Sequence, residues 1–275
     1  MLKLMLIASR EEDIYQAEMA GVDRIFLDLE YIGKSERQLG RNAFLTTNTI
    51  DDVSIVRKFI NKAEYVVRVN PIHPNSKSEI DQVINSGADT VMLPMVMDAE
   101  DVSKFVEYVH GRAKTMPMIE TAAAMTRIDD ILEVKGIDEI YIGLNDLNIS
   151  LGTTFMFESL SGGLIEYMAK KIKEKGIMFG FGGIAKIGEG LLPAENIIAE
   201  HYRLGSSSVI LSRTFRNELL PNNEKVDMVK EIARIRQKEV EIATWKDFQF
   251  DNNKRFVKEK VMAIVNTINK KKDLI

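Results

Sequence analysis

The feature that most constrains the fold is a regular alternation of short β-rich runs with amphipathic stretches. Eight runs have the apolar, β-branched character of buried strands, at residues 2–8, 24–29, 65–70, 90–95, 115–119, 139–144, 177–181 and 208–212. Helical periodicity lies between them, at residues 11–20, 50–61, 76–86, 99–109, 121–134, 161–175 and 194–204. Such alternation predicts a parallel sheet, and eight units favour a closed TIM (β/α)8 barrel over an open sheet.

The chain continues for about sixty residues after the eighth predicted strand. Two further helices are predicted there, near residues 224–242 and 253–269. No linker or low-complexity segment divides the sequence. We therefore interpret residues 1–275 as a single barrel domain, with residues 216–275 as a helical C-terminal extension.

Composition excludes several classes of protein. The chain has 275 residues, 45% of them hydrophobic, and no apolar run of the length that spans a bilayer. A net charge of -4 argues against a nucleic-acid partner, and the absence of cysteine excludes disulfides and thiolate metal sites. The apolar N-terminus is followed by charged residues where a cleavage site would belong, so it is interpreted as a strand. A cytoplasmic protein without a membrane partner is expected.

Two acidic residues indicate where the chemistry lies. Glu120 and Asp146 each follow the end of a predicted strand, one β-α unit apart. Ligands bind at the carboxyl ends of the strands in parallel α/β proteins. Two carboxylates brought together there repel each other unless a cation lies between them, so the pair predicts a site for a hard divalent metal.

Charged residues within two other predicted strands point to the same rim. Arg68 lies inside an apolar run, and a buried guanidinium needs an anion or several acceptors. It is either a structural ion-pair partner or a group that holds an oxygen becoming negative during a reaction. Asp28 and Glu30 alternate along the second strand and share one face. They are candidates for contact with the site, through metal-bound waters.

Backbone groups and histidines give weaker signals. The segment 143–147 is predicted to be a tight passage from strand to loop, whose N–H groups receive a substrate carboxylate; alternatively, Gly143 only eases packing. His73, His110 and His201 are interpreted as surface residues, although His73 follows the third strand and could reach the rim.

These residues together resemble the HpcH/HpaI aldolase and citrate lyase beta-subunit family, of the phosphoenolpyruvate/pyruvate-binding barrel superfamily. The similarity extends from about Leu4 to Phe215. The segments that carry it are residues 26–30, 67–70, 87–96, 119–121 and 142–147 with 151–152. No segment is specific alone, but the five in this order are.

The resemblance implies a (β/α)8 barrel that makes or breaks carbon–carbon bonds next to a pyruvate, oxaloacetate or acyl-CoA enolate. It implies that Glu120 and Asp146 bind Mg2+, Mn2+ or another divalent metal, and that Arg68 stabilises the enolate oxygen. The backbone at Asn145 and Asp146 would hold the keto-acid carboxylate, and Asp28, Glu30 and Tyr31 would lie just outside the ligands. It also implies a homo-oligomer, a trimer or hexamer, formed through the C-terminal helices.

Three positions depart from the family pattern, and they concern proton transfer and substrate. The family's hydroxy-acid aldolases have a histidine, paired with an aspartate, where this chain has Tyr31 and Asn85. They also have a glutamine at the position of Met118. The leading interpretation is a metal-dependent carbon–carbon lyase acting on a small keto acid or acyl-CoA ester, with an unassigned general base. The alternatives are acyl-thioester hydrolysis or phosphoenolpyruvate-type chemistry on the same site, and a non-catalytic barrel.

Overall fold

A computed structural model describes residues 1–34, 47–215 and 226–272, and within these residues eight parallel strands close into a barrel in the order β1 to β8. The strands are β1 Lys3–Ile7, β2 Arg24–Asp28, β3 Glu64–Arg68, β4 Thr90–Leu93, β5 Lys114–Ile119, β6 Glu139–Ile142, β7 Met178–Ile184 and β8 Ser208–Leu211. The predicted fold class is confirmed, and each predicted strand overlaps an observed one.

Helices surround the barrel and form the outer side of the core. They are α1 Glu11–Ala20, α2 Ile50–Arg57, α3 Ser76–Asn85, α4 Ala99–Val109, α5 Ala122–Thr126, α6 Ile128–Leu132, α7 Leu144–Leu151, α8 Glu158–Ser161, α9 Leu164–Glu174, α10 Ala194–Leu204, α11 Met228–Ile242 and α12 Asp247–Lys272. None of these helices has the length and apolarity to cross a bilayer.

Two predictions about helices were wrong. The single helix predicted over 121–134 is two short helices, α5 and α6, because the backbone at Arg127 leaves the helical region (φ -107°, ψ 18°). The loop predicted over 143–147 is instead the start of α7, with Gly143 as its N-cap. This second difference places Asp146 in the first turn of a helix.

The barrel interior consists of three layers, because inward-facing side chains recur at every second residue of each strand. At the N-terminal end, the buried Arg24 donates to Glu139 at 2.7 and 3.0 Å and to Glu64 at 2.9 Å. The middle layer is apolar and rich in methionine: Met5, Phe26, Val66, Met92, Met116 and Tyr141. The layer at the C-terminal end is charged, and Asp28 pairs with Arg68 in register there. The interior is therefore filled, with its charged groups at the two ends.

The C-terminal helices pack against the barrel of their own chain. Helix α11 contacts α1 and α10, and α12 contacts α8 and α10. Glu239 on α11 accepts a 2.6 Å hydrogen bond from the backbone of Leu2, and Arg236 donates to Asp23 at 2.6 Å. Residues 216–225 lie outside the described part, so the proposed start of the extension is not tested. Packing of these helices between subunits stays a prediction.

His201 is not at the surface, contrary to the sequence interpretation. It lies on α10, fully buried, with its ring stacked 3.8 Å from that of Phe181 and Nδ1 bonded to the Ser206 hydroxyl at 2.8 Å. Its Nε2 atom has no hydrogen-bond partner among the described residues. Burial lowers the pKa of His201 to about 3, since the charged ring would lose its hydration. The ring is therefore neutral in the folded protein at neutral pH.

This burial predicts a loss of stability in mild acid. In the unfolded chain His201 becomes protonated below about pH 6.5, whereas in the folded protein it stays neutral down to about pH 3. We expect this residue to lower the free energy of unfolding by about 2–3 kcal/mol between pH 7 and pH 4.5. Urea unfolding at both pH values measures it: His201→Phe should lose correspondingly less stability than the wild type. His110→Asn, at an exposed histidine, is the control, and equal losses in all three proteins would contradict the account.

Candidate functional site

Glu120 lies at the C-terminal rim, directly after β5 ends at Ile119. The next residue, Thr121, caps α5: its hydroxyl accepts from the N–H of Ala124 at 3.0 Å and donates to the carbonyl of Val96 at 2.8 Å. The strand end and the cap fix the backbone on both sides of Glu120. Its position is therefore set by secondary structure and not by a free loop.

The Glu120 carboxylate is buried and accepts a hydrogen bond from the backbone. It is 2% exposed, and Oε1 accepts from the N–H of Met95 at 2.9 Å. Met95 has φ 54°, an uncommon conformation for a residue with a side chain, and such strain is concentrated at functional sites. Burial and the nearby charges of Asp146 and Glu30 raise the pKa of Glu120 to about 8. The carboxylate therefore lies where a cation would stabilise its charged form.

Asp146 is brought to the same rim by α7. It is 9% exposed and lies in the first turn of the helix, next to the exposed Asn145. The hydroxyl of Ser150, one turn further along, accepts from the N–H of Ala122 at 2.8 Å. This bond joins the segment that carries Asp146 to the segment that follows Glu120.

Gly143 lets these two segments approach closely. A Cβ atom at this position would overlap Oε2 of Glu120 and lie 3.1 Å from the Met118 methyl carbon. The backbone there has φ -83°, which any residue adopts, so the requirement for glycine comes from space alone. Gly143 therefore permits close packing, and the packed group is the candidate metal ligand itself. Binding of a substrate carboxylate by the backbone of this segment stays a prediction.

The Arg68 guanidinium is in contact with other side chains on two of its edges and on one face. Nε and Nη2 donate to the two Asp28 oxygens at 2.9 and 2.8 Å, and Glu30 Oε2 lies 3.4 Å from Nη2. The guanidinium also lies over the Phe26 ring, 5.4 Å from its centroid. The remaining nitrogen, Nη1, is 3.8 Å from the thioether of Met118, a weak acceptor on the strand that ends at Glu120. Nη1 is therefore the guanidinium nitrogen best placed to donate a hydrogen bond to a substrate oxygen.

Lys34 is a further charged residue of the rim that sequence reasoning missed. Its side chain is only 5% exposed, and Nζ lies 2.6 Å from Asp28 Oδ2 and 3.5 Å from Glu30 Oε2. The signal in the sequence is weak, since a lysine four residues after a glutamate also occurs on any solvated helix. Its burial depends on the path of the loop after β2.

Other candidates from the sequence do not all reach the rim. Asn85, matched by position to the family's aspartate, ends α3 and so lies at the barrel end from which β4 starts, opposite the site. The Tyr31 side chain is 66% exposed. His73 does lie near the rim, where its Nε2 is 3.0 Å from Glu79 Oε2. Glu79 also accepts from the Asn70 side chain at 2.7 Å, so this pair is tied to the end of β3.

The donor set fits a hard divalent cation. The described residues contain no group of three or more histidine, cysteine, aspartate or glutamate side chains arranged to hold a metal. Mg2+ needs fewer protein ligands, because it binds through one or two carboxylates and keeps waters and substrate oxygens. Glu120 and Asp146 offer two carboxylates whose mutual repulsion raises the pKa of Glu120. These residues would hold the metal, and this assignment stays a proposal.

Metal binding should release a proton. With its pKa near 8, Glu120 is mostly protonated in the metal-free protein at pH 7, and a carboxylate must lose its proton to bind a metal. We expect close to one proton to leave per Mg2+ or Mn2+ bound at pH 7, and the affinity to increase up to about pH 8. Calorimetry in two buffers of different ionisation enthalpy measures the proton count. Tight binding without proton release in the wild type would contradict the assignment, and Glu120→Gln should weaken binding and abolish the release.

The packing at Gly143 gives a second expectation. Gly143→Ala should displace the Glu120 carboxylate and weaken Mn2+ binding by about tenfold or more, because groups that orient a ligand have effects of this size. The matched control is Gly183→Ala on β7, where a Cβ would meet only a backbone oxygen of Ile210 at 3.3 Å. Calorimetry should give the control the wild-type affinity. Equal affinity in both variants would show that Glu120 is not a ligand.

Comparison with characterised proteins gives relatives with the same architecture. A 2-keto-3-deoxy-L-rhamnonate aldolase of Escherichia coli is 25% identical over an alignment of 171 residues, and the match covers 50% of this chain. The chain spans 58% of that relative's length, less than two thirds. A solved HpcH/HpaI aldolase from Desulfitobacterium hafniense matches with a TM-score of 0.58 at 18% identity, over 80% of this chain and 94% of its own.

A second solved structure, citrate synthase SbnG, matches with a TM-score of 0.60 at 17% identity, over 86% of this chain and 94% of its own. At these identities the two structures establish the shared fold alone. The family is established by sequence, since the HpcH/HpaI aldolase/citrate lyase family model matches residues 3–161, more than half of the chain and all of β1 to β6. The chain therefore belongs to the HpcH/HpaI aldolase/citrate lyase family.

Proposed function

We propose that this protein is a metal-dependent carbon–carbon lyase of the aldolase type, acting through the enolate of pyruvate, oxaloacetate or an acyl-CoA ester. The observation that carries the proposal is the contrast between two halves of one rim. Asp28 and Glu30 contact Arg68 and Lys34, whereas burial and the charge of Asp146 raise the pKa of Glu120, so that a cation would stabilise its charged form. Membership of an aldolase and lyase family supports the same class of reaction.

Cleavage of such a bond moves its electron pair onto the carbon next to a carbonyl, and the charge is delocalised to the carbonyl oxygen as an enolate. A divalent metal supplies Lewis-acid stabilisation of that oxygen when bound. Arg68 contributes a guanidinium that is fixed before the reaction, with Nη1 directed towards the β5 side of the rim. A fixed donor of this kind stabilises developing charge without reorganising during the step.

The start of α7 is suited to the carboxylate of a keto acid. The first N–H groups of a helix have no acceptor within the helix, and its dipole favours an anion there. Asn145 and Asp146 lie in this first turn, so their backbone groups are the ones we assign to substrate binding.

A second candidate keeps this site and changes the reaction to acyl-thioester hydrolysis or phosphoenolpyruvate-type chemistry. Tyr31 favours it, because this exposed side chain stands where the hydroxy-acid aldolases resembling this chain have their histidine. A panel of keto acids, acyl-CoA esters and phosphoenolpyruvate distinguishes the two. We further propose that residues 1–275 form one domain; the trimer or hexamer and the cytoplasmic location stay predictions.

The proposal predicts metal-dependent enolisation of pyruvate. Incorporation of deuterium into the pyruvate methyl group in D2O, followed by proton NMR, should require Mg2+ or Mn2+. Glu120→Ala should lower this rate by about 100-fold or more with the fold intact, because it removes a ligand of the group that stabilises the enolate.

Glu133→Ala is the matched control, since Glu133 is an exposed carboxylate bound to Lys175 on the outer helical layer. It should exchange at the wild-type rate. Unchanged exchange in Glu120→Ala would remove Glu120 from the mechanism, and a wild-type protein that exchanges nothing would contradict the proposed function.

A further inference from the structure

Lys34 is buried at the rim. Its Nζ atom is 2.6 Å from Asp28 Oδ2 and 3.5 Å from Glu30 Oε2, and 5% of its side chain is exposed. A lysine is rarely buried to this degree unless its charge is paired. The ammonium is therefore part of the rim and not a solvated surface group.

Lys34 and Arg68 contact the same two carboxylate oxygens. Arg68 Nη2 lies 2.8 Å from Asp28 Oδ2 and 3.4 Å from Glu30 Oε2, which matches the lysine distances closely. The two carboxylates thus lie between two cations. Without the Lys34 charge, the negative charge of both carboxylates would act on Arg68 alone. The electrostatic field around the guanidinium therefore depends on Lys34.

The loop that delivers Lys34 is tied to the strand that carries Arg68. Asn70, two residues after the end of β3, accepts from the backbone N–H groups of Tyr31 and Ile32 at 3.0 Å each. The N–H of Lys34 then donates to the carbonyl of Tyr31 at 3.2 Å, which completes a tight turn. The same strand end therefore places both cations against Asp28 and Glu30.

We propose that Lys34 is a positioning residue that keeps Arg68 effective as the enolate-stabilising group; this inference rests on the proposed function. Asp28 and Glu30 are needed to hold the guanidinium in place, but their charge also opposes the approach of an enolate. Lys34 offsets that charge at the oxygens that touch Nη2. Nη1, which faces Met118 on the β5 side, thereby keeps a positive field towards the substrate.

The test compares three variants by deuterium exchange into pyruvate. Lys34→Met keeps most of the length of the unbranched side chain and removes its charge, and Lys34→Arg keeps the charge. Lys171→Met is the matched control, since Lys171 is paired at 2.6 Å with Asp129 on the outer helices, away from the rim. The exchange rate at saturating pyruvate, the pyruvate KM, Mn2+ affinity and the thermal midpoint are measured for each.

Lys34→Met should lower the saturated rate by about tenfold or more, a typical effect of losing electrostatic support for an oxyanion. Its Mn2+ affinity should be unchanged or tighter, because a nearby positive charge has been removed. Lys34→Arg should recover most of the rate, and Lys171→Met should retain all of it. A merely structural role would not separate the rate from metal binding in this way.

Two results would overturn the inference. The first is a Lys34→Met protein with the wild-type rate, in which case the ammonium has no effect on Arg68. The second is a Lys34→Met protein that loses Mn2+ binding and thermal stability together, in which case Lys34 only supports the fold. A wild-type protein without any exchange would instead refute the proposed function, and the role of Lys34 with it.

Discussion

Buried negative charge at one end of the barrel is the constraint on which the rest of the site depends. Among the described residues, Asp28, Glu30, Glu120 and Asp146 are carboxylates at this rim with at most 9% exposure. Burial alone would raise the pKa of Asp28, but Arg68 and Lys34 hold it well below its usual range. For Glu120, burial and the neighbouring carboxylates raise the pKa to about 8. Arg68 and Lys34 thus compensate the charge of Asp28 and Glu30, and Glu120 lies where a cation from solution would stabilise its charged form.

For the strands and for the rim at which they end, the sequence was sufficient, although the local pattern misjudged the helices over 121–134 and 143–147. The strands could be located from their apolar runs, and every parallel strand directs its carboxyl end to one rim, so Glu120 and Asp146 could be brought together without coordinates. Lys34 could not be found in this way, because its burial depends on backbone bonds from the β2 loop to Asn70, a contact distant in sequence. The location of Asn85 could not be found either, because matching by position does not show that α3 runs from the rim to the opposite end of the barrel.

In the barrel interior, the charged residues that support the fold lie at one end and those proposed for chemistry lie at the other. At the N-terminal end, Glu64 and Glu139 pair with Arg24 and so compensate its buried charge. The apolar middle layer isolates that cluster from the rim, and Phe26 supports the Arg68 guanidinium from below. Conserving the lower two layers while changing loops at the rim is how this fold accommodates different reactions. Lys34 and Tyr31 both lie in such a loop, the one after β2.

A crystal structure with Mn2+ and oxalate, an analogue of the pyruvate enolate, tests the central claim most directly. Anomalous scattering locates the Mn2+ ion independently of any assumption about its ligands. The account predicts the ion between Glu120 and Asp146, with oxalate bound to it, one oxalate oxygen within hydrogen-bond distance of Arg68 Nη1 and a carboxylate at the start of α7. Mn2+ bound elsewhere, or oxalate that leaves Arg68 in contact only with Asp28 and Glu30, would contradict it.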